Sequence, residues 1–157
     1  MRPEDSMDVP VDGPEGESLS TVGGDIAPDD TELSSEEKLQ IVALAADSLR
    51  ATDIVAIDLR GLTIIADFFL ICTGNSSIQI RAIADRIEER MRERGLHKLR
   101  MEGYQEATWV LLDFGDVVAH VMAAEQRAFY DLEGFWSAAP RFPLHLPAEP
   151  PLPVRGS

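Results

Sequence analysis

Fifteen residues, Thr108 to Met122 (TWVLLDFGDVVAHVM), constrain the fold more than any other stretch. Two runs rich in β-branched and aromatic residues, Trp109 to Phe114 and Val117 to Met122, flank Gly115-Asp116, a two-residue connection suited to a tight hairpin turn. The turn sets a register that opposes Phe114 to Val117, Asp113 to Val118, Leu112 to Ala119, Leu111 to His120, Val110 to Val121 and Trp109 to Met122. A one-residue slip would set Asp113 against Asp116, two like charges. Because side chains alternate across a strand, the hairpin has two unlike faces. Val110, Leu112, Phe114, Val117, Ala119 and Val121 form an apolar face that needs covering by helices. Trp109, Leu111, Asp113, Val118, His120 and Met122 form a mixed face, the first candidate for a binding surface.

The rest of the chain supplies elements to pack against this hairpin. Ser34-Ser35-Glu36-Glu37 has the spacing of a capping box, and Leu39, Val42, Ala43, Ala46 and Leu49 repeat at helical intervals to about Arg50. Asp53 to Leu59 and Ala66 to Thr73 are short apolar runs that read as interior strands. After Gly74-Asn75-Ser76-Ser77, a helix is expected to Arg94 with Gly95 as its stop; Arg81 with Asp85 and Glu88 with Arg92 are its i,i+4 pairs. Leu96 to Glu102 alternates charged and apolar residues like an edge strand. A last helix is expected from about Ala124 to Trp136, with Phe129, Leu132 and Trp136 on one side. The predicted order is α-β-β-α-β-β-β-α, an α/β (α+β) arrangement: a mixed sheet of about five strands flanked by helices.

Charge and composition narrow the function. The formal net charge is −14, and residues 1–33 hold ten carboxylates and one Arg with no aromatics, the composition of a disordered acidic leader. Residues 34–139 are predicted to fold. Residues 140–157 carry six prolines in eighteen positions and read as an extended, disordered tail. So acidic a chain is poorly suited to clamping a phosphate backbone, which leaves little or no direct contact with nucleic acid, and better matched to a basic protein. The single cysteine, Cys72, excludes an internal disulfide framework and suits a reducing cytoplasm. No apolar run reaches the roughly 18 residues that a membrane span requires.

Motifs for chemistry are weak. Gly74 before a helix lacks the glycine spacing of a phosphate loop, and Asn75 or Ser76 serves better as an ordinary cap. Asp113-Phe114-Gly115 spells a kinase signature without its companion motifs and reads as a turn. His97, His120 and His145 share no metal-ligand spacing with Cys72 or one another, so no metal or cofactor is expected. Cys72 reads as a buried thiol; Asp53, Asp58, Asp67, Asp113 and Asp116 read as turn and cap residues.

Several ordered blocks resemble the ribosomal silencing factor family, also called the Iojap-like family, over residues 36–138. They are DIVAIDL at 53–59, ADFFLICTGNSS at 66–77, AIADRIEE at 82–89, Met101-Glu102-Gly103, the hairpin, and Arg127, Tyr130, Leu132-Glu133 and Phe135-Trp136. Phe135 departs from the more usual Leu; the long leader and Pro-rich tail also depart. The resemblance implies a fold similar to nucleotidyltransferases and a non-enzymatic repressor. Such a repressor binds the large ribosomal subunit through ribosomal protein fourteen and blocks joining of the small subunit. Nucleotidyltransferase catalysis needs an Asp-x-Asp strand after the Gly-Ser helix start, and Leu96 to Glu102 carries no Asp. The expected contact residues are Trp109, Leu111, His120 and Met122, with Tyr130 and Glu102 as neighbours. A nucleotidyltransferase-like enzyme and a homodimeric scaffold acting away from the ribosome are the alternatives.

Overall fold

A computed structural model describes residues 33–147. The leader, apart from Leu33, and the last ten positions lie outside the described residues. The described chain runs α1 (Ser35–Ser48), β1 (Thr52–Asp58), β2 (Phe68–Gly74), α2 (Ser77–Glu93), β3 (Arg100–Glu102), β4 (Trp109–Asp113), β5 (Val117–Ala123), α3 (Ala124–Tyr130), α4 (Leu132–Phe135) and β6 (Arg141–Phe142). Six strands form one mixed sheet in the order β3-β4-β5-β2-β1-β6. All neighbours are antiparallel except the central pair, where β2 and β5 run parallel from Phe68↔Val117 to Gly74↔Ala123.

The hairpin register is the expected one, from Trp109↔Met122 to Asp113↔Val118, with the Phe114 N–H donating to the Val117 carbonyl at 2.9 Å. Its apolar face lies under α1 and α2 in one buried cluster that includes Leu39, Val42, Ile83, Ile87, Val110, Leu112 and Val121. Close approach of α2 to β2 depends on Gly74, since a Cβ there would stand 2.7 Å from Ile80 Cγ1. Ser76 caps α2 by accepting from the Gln79 N–H at 3.1 Å, the ordinary cap expected of that position.

Three sequence expectations are corrected. The final helix is broken: Asp131 adopts a left-handed conformation (φ 46°), ending α3, and its carboxylate accepts from the Gly134 N–H to start α4. The start of the tail is built into the sheet. Phe142 and Arg141 pair with Ala56 and Ile57, the Phe142 ring lies 4.9 Å from that of Phe68, and Gln40 bonds both backbone groups of His145. Folding therefore continues past residue 139, because Phe142, Leu144 and Leu146 still have core to cover. Finally, Arg81 and Asp85 do not pair with each other. The Arg81 guanidinium donates to the Tyr104 and Gln105 carbonyls at 3.0 and 2.6 Å, and Asp85 accepts from the Tyr104 hydroxyl at 3.0 Å. Both side chains thereby fasten the turn that leads into Trp109, whereas Glu88 and Arg92 do pair, at 3.4 Å.

Candidate functional site

The mixed face of the hairpin is only partly covered, and its coverage decides which residues face outward. Across the sheet, Glu102, Leu111, His120 and Ile71 stand in one row; Trp109, Met122 and Thr73 stand in the next. The α3–α4 elbow, with Leu132 and Trp136, lies over the β2–β5 side of these rows. Met122 is fully buried and His120 is 3% exposed, so neither offers surface to a partner. This corrects the expectation that both make contact: they form the floor. Trp109 and Leu111 are half-buried at the margin of the floor, and Glu102 is exposed on the edge strand β3. Tyr130 is 51% exposed, and its ring lies 4.8 Å from that of Trp109, so the structure does bring these two together.

Local chemistry fixes this arrangement. Gly103 (φ 82°) turns the chain directly above the Trp109 carbonyl, where a Cβ would come within 2.0 Å of the oxygen. The Trp109 indole N–H donates to His120 Nδ1 at 3.1 Å, and the Phe69 ring meets the imidazole in a T-shaped contact at 4.6 Å. Burial holds the His120 imidazole down at about 4 against its usual 6.5, so it is neutral at physiological pH. Arg127 joins the elbow to the sheet. It pairs with Glu133 at 2.7 Å, and donates to the Asp53 carbonyl at 2.7 Å and Thr73 Oγ1 at 2.9 Å. That guanidinium holds the Glu133 carboxyl below its ordinary range. At the edge, Arg100 bridges Glu102 and Asp113.

Two residues were missed by sequence reasoning. Phe129 and Phe135 are 79% and 77% exposed beside the site, with the Phe129 ring 4.9 Å from that of Tyr130. A continuous helix would have placed Phe129 in the covering stripe. The available signal was Asp131 three residues before Gly134, a helix-start spacing inside an apparent helix.

Nothing in this arrangement points to bond chemistry. The Cys72 thiol is fully buried and pushed up to about 12 by that burial, which makes it a poor nucleophile. Asp58 binds Arg60, Asp113 accepts from the Gly115 N–H, and Asp116 pairs with Lys38, each serving a turn or a tether. Among the described residues, no group of three or more His, Cys, Asp or Glu side chains is placed to hold a metal, and no helix is long and apolar enough to cross a membrane.

Residues 32–153 match the family described as ribosomal silencing factor during starvation. The chain belongs to the ribosomal silencing factor family. It is 46% identical over 112 residues to the ribosomal silencing factor RsfS of Halalkalibacterium halodurans, covering 71% of this chain and 96% of the relative. It is also 46% identical over 108 residues to that of Bacillus subtilis, covering 69% and 92%. A crystal structure of a Bacillus halodurans protein superposes with a TM-score of 0.63 at 43% identity, over 69% of this chain and 99% of the other. The family consists of non-enzymatic factors that act on the ribosome.

Proposed function

We propose that this silencing factor represses translation in the cytoplasm by binding the large ribosomal subunit through ribosomal protein fourteen and obstructing the small subunit. The reading rests on family membership together with one structural observation: an apolar margin of Trp109, Leu111 and Tyr130, two of them aromatic and bordered by Glu102, on an acidic body. Aromatic anchors beside a rim of charge are what a protein interface uses, and an acidic body favours a basic partner. An interface of standard size, about 1,600 Å² in total, needs only a few such anchors. Obstruction asks for no turnover, so a folded wedge suffices.

Gradient co-sedimentation with free large subunits tests this directly. Wild-type protein is expected to travel with them, and Trp109→Ala, folded by circular dichroism, to lose at least about tenfold in affinity. Equal co-sedimentation of both proteins would remove Trp109 from the site. Exposure of Phe129 and Phe135 supports a second reading, self-association through the elbow. A monomer by analytical ultracentrifugation at tens of micromolar would exclude it.

A further inference from the structure

His120 poses a problem that burial does not solve. Its Nδ1 accepts the Trp109 indole N–H, so the single proton of the neutral ring sits on Nε2. That Nε2 is buried without a hydrogen-bond partner among the described residues. The ring meets Phe69 in a T-shaped contact, and His120 pairs across strands with Ile71 and shares its sheet face with Val118 and Met122, the four being members of one apolar cluster. A buried donor with no acceptor destabilises a fold, and a leucine or methionine would fill the same space without one. What imidazole brings and those residues lack is the acceptor on Nδ1.

We propose that His120 is the positioning residue for Trp109, holding the indole in the orientation in which it forms part of the docking surface. The inference rests on the docking reading given above. Its geometry is a chain of ring contacts. Phe69 stands against one part of the imidazole, the imidazole holds the indole nitrogen, and Tyr130 lies 4.8 Å from the indole on the outer side. Trp109 is half-buried, so packing covers only part of its ring; the bond at Nε1 adds a directional restraint before any partner arrives. An anchor already fixed in its bound orientation loses less entropy on docking.

The test follows the Trp109 indole N–H of the full chain by ¹H–¹⁵N NMR, with Trp109→Phe to assign the resonance, and measures co-sedimentation of the same proteins with large subunits. In His120→Leu the resonance is expected to move upfield and its hydrogen exchange to quicken. Affinity for the subunit should fall about five- to tenfold, the equivalent of one unrestrained side chain. His120→Asn, whose amide oxygen can accept from the indole, is expected to bring both readouts back toward wild type, which a purely space-filling role would not do. His120→Met is a second apolar replacement of different shape, so if one of the two fails to fold the other decides. Unchanged indole exchange in the folded apolar variant overturns the proposal. Faster exchange with undiminished binding also overturns it. If Trp109→Ala binds like wild type, the proposal falls with the docking reading beneath it; if Trp109→Ala loses affinity and His120→Leu does not, the docking reading stands and this proposal alone fails.

Discussion

The two faces of the sheet share their strands and differ in what lies over them. Beneath α1 and α2 the cover is complete: Phe68, Leu70, Leu112, Val117 and Val121 are fully buried in one apolar cluster, with the Arg60 guanidinium 4.7 Å from the Phe68 ring at its border. Beneath α3 and α4 the cover is short and the interior is mixed. The two buried polar side chains of the described residues, Thr73 and His120, both lie on that side, and each holds another group, Arg127 for Thr73 and Trp109 for His120. One face contributes stability by area removed from water; the other uses directional bonds to set where an elbow and an indole sit. The proposed docking surface is thus held by directional bonds without being sealed.

Substitutions should separate the faces. Phe68→Ala on the helix side removes a fully buried ring that also stacks on Phe142, and is expected to lower unfolding free energy by about 3–5 kcal/mol in urea titrations. A value under about 1 kcal/mol would break the comparison. Arg127→Met on the other side leaves Glu133 without its partner and Thr73 and Asp53 without a donor, for about 3 kcal/mol. Its distinguishing mark is loosening of the elbow, seen as hydrogen exchange rising in residues 124–136 before the rest.

A pH titration sharpens the contrast further. The folded His120 imidazole is held down at about 4 and the unfolded one titrates near 6.5, so the folded state binds its proton less readily. Stability is therefore full above pH 6.5 and falls as the pH drops toward 4, by about 2 kcal/mol at pH 5. His120→Leu should flatten that part of the curve; an unchanged slope would assign it to carboxylates elsewhere. The smallest effect is expected at the edge. Glu102→Gln removes half of an exposed ion pair with Arg100 and should change stability by less than about 0.5 kcal/mol, while reducing the salt dependence of subunit binding.

How much of this could be read in the chain follows from range. The hairpin register was legible because its turn and its alternation are local, and α2 because its stripe and Gly95 are. Burial of Met122 and His120 was not legible, since it depends on an elbow formed where Asp131 takes a left-handed conformation in what reads as one helix. Strand β6 was hidden for the opposite reason. Prolines at 140 and 143 argue against regular structure, yet only two residues between them pair, at a sheet edge where a missing N–H does little harm. Of the expected contact residues, Trp109, Leu111, Tyr130 and Glu102 reach the surface and two do not.

The parallel pairing of β2 with β5 has a consequence for synthesis. Its partners are separated by the whole of α2, β3 and β4, and β1 waits still longer for Arg141 and Phe142. Such distant pairings slow closure of the sheet. A nascent chain of this kind cannot complete its central strands until Val117 to Ala123 have emerged, so a factor proposed to silence ribosomes would acquire its docking surface only after β5 and the α3–α4 elbow have been synthesised.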